Sequence, residues 1–178
     1  MQNTLFILDP QKKSLALLNQ ASMTSEGFQE PKDLETWLSS LGPDTKTFGR
    51  KVLWISRQDR TTDDQRSDLI GIADDGDLVL AELKRGQLTD IAIMQALSHA
   101  AVYSSKTPDD LASIFLAHSS KVSENRSLVG TVVSLEEARS KISALIGDQG
   151  DEPIPVNGAQ TILLVAEDFA SSALKSCD

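Results

Sequence analysis

Residues 67–85, SDLIGIADDGDLVLAELKR, leave a folded chain few choices. Two runs rich in Ile, Leu and Val flank an Asp-Asp-Gly, the signature of a β-hairpin. A three-residue loop, Asp74 to Gly76, with Gly76 in the left-handed conformation, pairs Ala73 with Asp77. Ile72 then faces Leu78, Ile70 faces Leu80 and Asp68 faces Glu82, all on one side. A two-residue Asp75-Gly76 turn shifts the register by one and sends Asp68 to the opposite face. The longer loop is preferred because it gathers Ile70, Ile72, Leu78 and Leu80 into one apolar patch. The shorter one still sets apolar against apolar.

On the second strand side chains alternate, so Leu78, Leu80, Glu82 and Lys84 share a face. An apolar face thus ends in a carboxylate and an ammonium. In the preferred register two carboxylates oppose each other about 5 Å apart at Cβ, and like charges so placed repel. A divalent cation removes that penalty, and hard oxygen ligands suit Mg²⁺ or Mn²⁺. Lys84 is placed to orient or activate a water, or to stabilise charge developing on a phosphate. A structural Glu82–Lys84 pair at a strand end is the plainer alternative.

Elsewhere the pattern alternates between strands and helices. NTLFILDPQKKSLALL reads as a hairpin about an Asp-Pro turn. EPKDLETWLSSLG reads as a helix whose core face is Leu34, Trp37, Leu38 and Leu41. KVLWIS reads as a strand, and RQDRTTDDQR as a polar loop. Three helices follow the central hairpin. The first starts at Thr89 or Asp90, and the second is capped by Thr107 with Pro108 in its first turn. The third opens on a Ser134/Glu137 capping box and ends at Gly147. AQTILLVA reads as a buried strand and EDFASSALKS as the start of a final helix. The expected fold class is therefore α/β, a mixed sheet with helices on its faces. Residues 1–24 form an N-terminal hairpin appendage and 25–178 the main domain.

With 178 residues, 40 % of them hydrophobic, the chain can bury a core. It has no apolar run long enough to span a bilayer and no signal-peptide pattern, so no membrane partner is expected. Its lone cysteine, Cys177, forms neither an intramolecular disulfide nor a zinc site by itself, and a reducing cytoplasm is the expected location. The net charge of −9 disfavours clustered phosphate contacts. Lys46, Arg50, Lys51, Arg57, Arg60 and Arg66 nevertheless concentrate just before Asp68. Some of them are expected at the same sheet end as the Asp68/Glu82 site, contacting phosphates; a solvated loop is the alternative.

Taken with the following DIAIMQALSHAAVYS, the segment SDLIGIADDGDLVLAELKR resembles the PD-(D/E)XK, or restriction endonuclease-like, nuclease superfamily. It is most similar to the branch of mismatch-type, stand-alone endonucleases. Ser67 stands where proline is common, and His99 where that branch often has tyrosine. The resemblance implies an α/β/α core about a mixed central sheet. It implies that Asp68, Glu82 and the carbonyl of Leu83 hold Mg²⁺ or Mn²⁺, with Lys84 serving the attacking water. It implies that Glu35 directs a further acid at the metal and that Gln95 lines the site. Arg57, Arg60, Arg66, Arg85 and His99 become the candidates for nucleic-acid contact. Relatives usually continue beyond a strand like ILLVAEDF, which implies a short version or an N-terminal portion. The implied activity is metal-dependent endonucleolytic hydrolysis of nucleic acid, with DNA the expected substrate over RNA, alone, as a homodimer or with a partner protein. The alternative is a weakly active nuclease-fold accessory module of a repair or defence system.

Overall fold

The structure is a computed structural model. It describes residues 5–9, 14–18, 21–47, 49–60, 66–122, 131–147 and 155–175. Strands β1 (Leu5–Asp9) and β2 (Ser14–Leu18) pair antiparallel in a two-stranded sheet of their own, with Leu5 opposite Leu18. The Asp-Pro turn expected between them lies outside the described residues.

The main sheet contains β3 (Lys46–Thr47), β4 (Arg50–Arg60), β5 (Arg66–Ala73), β6 (Leu78–Leu88) and β7 (Gln160–Phe169), side by side in that order. Neighbours are antiparallel from β3 to β6, whereas β6 and β7 are parallel. A parallel neighbour needs a long crossover. Helices α2 (Asp90–Tyr103), α3 (Pro108–Val122) and α4 (Leu135–Ile146) lie within it. Before the sheet, a π-helical turn at Glu30–Leu34 runs into α1 (Glu35–Ser40), and a short α5 (Ser171–Lys175) follows β7. The protein is thus α/β with a mixed sheet.

Each sheet face has its own apolar cluster. On one, Leu53, Ile55, Ile70, Ile72, Leu78 and Leu80 pack against Tyr103 of α2, Leu111 and Phe115 of α3, and Ile142 of α4. On the other, Val52, Trp54, Leu69, Val79, Ala81 and Leu83 pack against Leu34 and Leu38. Fully burying a side chain of this size contributes about 1.5–3 kcal/mol, so these layers set the register. No helix among the described residues is long and apolar enough to cross a membrane.

The central hairpin has the register of the three-residue loop. Gly76 sits at φ 86°, the Ala73 N–H donates to the Asp77 carbonyl at 2.9 Å, and Ile72 faces Leu78. The helix starts follow the sequence in part. Thr107 Oγ1 accepts from the Asp110 N–H, and Ser134 Oγ accepts from the Glu137 N–H. The Glu137 carboxylate reaches back to Val133. Thr89 precedes α2, but its side chain makes no capping bond.

Four expectations need correction. Trp37 does not join the core face of its helix; it is 45 % exposed, and Glu35 and Ser39 are buried in its place. The π-turn changes the phase at which α1 begins, and Arg57 pairs the buried acid. RQDR is no loop but the end of β4, and Arg66 already belongs to β5, because these residues pair across as Asp59 with Ser67 and Arg60 with Arg66. β7 is half-buried and not buried, since among the described residues it pairs only with β6 and forms the sheet edge. Glu167, Asp168 and Phe169 extend that strand, so the last helix begins only at Ser171.

Candidate active site

A bulge in β4 decides what one wall of the site contains. Trp54 pairs with Gly71, but the next matched pair is Ser56 with Ile70, so Ile55 is the extra residue. The alternation therefore changes phase, and Arg57, opposite Leu69, turns to the face that carries α1. There its Nε donates to Glu35 Oε2 at 2.7 Å, with side-chain exposures of 8 % and 1 %. Its Nη1 donates to Thr36 Oγ1, and Gln58 Nε2 donates to Glu35 Oε1 at 3.0 Å. Gln58 adopts φ 49° just beyond the bulge.

The second wall forms where β5 and β6 part. Regular pairing ends at Leu69 with Ala81. Hydrogen-bonded pairs alternate along such a ladder. Starting from Ala73–Asp77, Leu83 would next bond the backbone of Ser67. Instead the Leu83 N–H donates to Asp68 Oδ2 at 2.7 Å. A residue's N–H and C=O leave a strand on the same side, so the Leu83 carbonyl also belongs to the β5 side of β6. On the other side Leu78 donates to Ala159, as the alternation requires.

Glu82 is buried at 4 % exposure next to this fork. Its Oε1 lies 2.9 Å from Lys84 Nζ, and its Oε2 lies 3.8 Å from His99 Nδ1 on α2. Both Glu82 Oε2 and His99 Nε2 are buried without a hydrogen-bond partner. Lys84 Nζ also approaches Glu30 Oε1 at 3.6 Å. Asp68 is pushed up to about 7, first by burial and then by the charge of Glu82. Burial also raises Glu82 and Glu35, against the opposing pull of Lys84 and Arg57 respectively. Lys84 is raised as well: burial works against its ammonium, but the bond to Glu82 and the surrounding carboxylates outweigh it. Burial lowers His99.

The structure thus brings together Asp68, Glu82, Leu83 and Lys84, and its charges couple Glu35 to Asp68 and Glu82. It does not do the same for every other candidate. Gln95 is exposed on α2, one turn before His99. His99 faces inward to Glu82, where it cannot reach out to a phosphate from an exposed helix face. Arg57 is consumed by Glu35. Arg50 is held by Asp75 and Asp77 of the hairpin turn, at the sheet end away from Asp68. Arg60 and Arg66 pair where β4 and β5 approach the site end, but their side chains lie outside the described ones. Arg85 is exposed.

Sequence reasoning passed over Glu30 and Gln58. Neither carries a signal in the sequence, because their contacts depend on the π-turn and on the bulge. Among the described residues no three His, Cys, Asp or Glu side chains converge into a ready metal cage. Comparison of the chain with protein-family models, with curated proteins and with solved structures gives no match.

Proposed function

We propose that the chain is a divalent-metal-dependent endonuclease that hydrolyses phosphodiester bonds in DNA, with the restriction endonuclease-like architecture its motif suggests. One observation carries the reading. Buried and half-buried carboxylates with raised pKa values surround a strand end, and Glu82 Oε2 among them lacks a hydrogen-bond partner. Such a group is destabilising by itself and is relieved by a cation. Asp68, Glu82 and the Leu83 carbonyl would hold Mg²⁺ or Mn²⁺, whose chemistry is to polarise the phosphoryl oxygen and to acidify water. Lys84 stays protonated at neutral pH, so it acts by stabilising negative charge on the phosphate, not as a base. Arg57 and Gln58 orient Glu35 by gripping both of its oxygens.

The second reading, a weakly active accessory module, draws on charge. Arg50 and Arg57 are spent on internal acids in a chain of net charge −9. One experiment separates the two. Wild type and Asp68→Ala are incubated with linear and circular DNA and Mn²⁺, and the melting temperature is followed alongside. The nuclease reading expects Mn²⁺ to raise the melting temperature and to support cleavage in wild type alone. Equal cleavage by Asp68→Ala would show a contaminant, and stabilisation without cleavage would leave the accessory module.

A further inference from the structure

Among the described residues the main sheet has two edges, and they differ. An edge strand offers a row of unpaired N–H and C=O groups to any other strand, and short length, lysine, proline or charge blunts it. One edge is β3, which has only 2 residues and carries Lys46. The other is β7, which runs for 10 residues. Its stretch Thr161–Ala166, TILLVA, holds no charge and no proline and is half-buried throughout. The free backbone groups can be assigned. Leu78 donates to the Ala159 carbonyl, and alternate residues of a strand turn their backbone groups to the same neighbour. Thr161, Leu163 and Val165 therefore bond towards β6, and the N–H and C=O of Ile162, Leu164 and Ala166 point outward. Among the described residues none of these three has a backbone bond to another segment on that side.

We propose that β7 is the edge through which two copies of this chain join, antiparallel, about a two-fold axis through Leu164. The proposal does not depend on the nuclease reading. A strand that pairs with its own copy about a two-fold axis perpendicular to the sheet sets one residue opposite itself. Centred on Leu164, Ile162 lies opposite Ala166 and Leu163 opposite Val165, so apolar side chains meet apolar ones. The outward groups of Ile162, Leu164 and Ala166 then meet each other as hydrogen-bonded pairs. Glu167 and Asp168 lie opposite Thr161 and Gln160, so no acid faces an acid. Thr161 Oγ1 accepts from Arg50 at 2.7 Å, which holds a guanidinium near the place that Glu167 of the second copy takes. A centre at Ala166 would instead set Glu167 and Asp168 against Val165 and Leu164. Copies of net charge −9 repel at long range, and an uncharged strand is where they can approach. Edge pairing buries less than the roughly 800 Å² per partner of a standard interface, so the dimer is expected at about micromolar concentrations and above.

Sedimentation equilibrium of the full chain between about 1 and 200 µM should show a monomer–dimer equilibrium. Ala166→Pro removes an outward N–H and no bond to β6, a change that edge strands tolerate. It should melt close to wild type and weaken the dimer about 10-fold, through two lost hydrogen bonds across the axis. Cysteine variants test the axis itself, with Cys177→Ser as background. A hydrogen-bonded antiparallel pair holds its Cα atoms about 5.5 Å apart, within reach of a disulfide. Leu164→Cys should therefore oxidise to a covalent dimer, and Ala166→Cys, placed opposite Ile162, should not. Should Ala166→Pro fail to fold, this pattern decides alone. A monomer at every concentration overturns the proposal. Slow hydrogen exchange at the Ile162, Leu164 and Ala166 amides of that monomer would assign the edge to a segment of the same chain, such as β1 and β2. A dimer that a folded Ala166→Pro leaves intact, or equal cross-linking by both cysteine variants, overturns it too and moves the contact to another face.

Discussion

The carboxylate of Asp68 titrates near 7 because burial strips it of water and Glu82 adds a second negative charge. Unfolded, it would titrate near 3.8. Between these values the folded chain holds a proton that the unfolded chain has lost, so stability falls as pH rises through the window. Asp68→Asn keeps an oxygen for the Leu83 N–H and carries no charge. In the absence of metal it should match wild type below about pH 4 and be more stable by about 1–3 kcal/mol at about pH 8. Urea unfolding across that range checks it, and a loss of stability at high pH would mean that Asp68 has a cationic structural partner. Glu82→Gln should leave the fold intact and abolish the rise in melting temperature that the proposed Mn²⁺ site predicts for wild type; a retained rise would remove Glu82 from the proposed ligand set. Arg57 behaves in the opposite sense. Arg57→Met leaves Glu35 buried at 1 % exposure with Gln58 as its remaining strong donor. Breaking a buried pair typically costs about 3–5 kcal/mol. Without the guanidinium the Glu35 pKa rises further, so the loss should be larger at about pH 8 than at about pH 5. A loss independent of pH would show that Arg57 acts by packing alone.

At the scale of elements, the central hairpin was legible because two local signals agree. Gly76 satisfies the turn, and the same register collects Ile70, Ile72, Leu78 and Leu80 on one face. The facing pair of Asp68 and Glu82 expected from the same register is not formed, because regular pairing ends at Leu69 with Ala81 and Asp68 accepts from the Leu83 N–H instead. The β4 bulge was not legible. KVLWISR continues through Ile55 and Ser56 without a glycine or proline to mark the break, and only the partner strand reveals the extra residue. The fate of Arg57 depended on that bulge, which turns it to Glu35. Trp37 failed for a similar reason: helical spacing cannot foresee a π-turn, which closes through contacts such as Asp33 Oδ2 with the Gln29 N–H. Gly71 links the two strands of the bulge. A Cβ there would meet Val52 Cγ1 at 2.6 Å and Trp54 Cε3 at 2.8 Å, both on buried side chains. Gly71→Ala should therefore destabilise by about 1–3 kcal/mol and lower the melting temperature by about 3–10 °C. A melting temperature equal to wild type would show that β4 can move aside.

Over the whole molecule, two of the described arginines, Arg50 and Arg85, stand in opposite situations, and DNA binding should tell them apart. The chain carries a net charge of −9, so a polyanion is repelled at long range and must be held by cations near the site. Arg50 is bound to Asp75 and Asp77 and donates to Thr161 Oγ1 at 2.7 Å, which fastens the hairpin turn to β7. It lies at the turn end of the sheet, where β4 pairs with Ala73, and Asp68 lies towards the other end of β5. Arg85 is exposed and follows Lys84 directly. Its guanidinium bonds a neutral carbonyl, that of Phe28, so its charge stays available to a phosphate. Each phosphate neutralised releases counterions and steepens the dependence of log K on log salt by about 0.7–0.9. Arg85→Gln should therefore weaken oligonucleotide binding and flatten that slope by about one unit. Arg50→Gln should leave the slope unchanged while lowering the melting temperature by a few degrees, about what the loss of 1 kcal/mol gives in a chain of this size. Titrations of the two variants at several salt concentrations, with melting curves, test both halves. Equal slopes in wild type and Arg85→Gln would place the phosphate contacts elsewhere. A flattened slope in Arg50→Gln would put the DNA at the turn end, away from Asp68 and Glu82, and would count against the cleavage site proposed at the fork between β5 and β6.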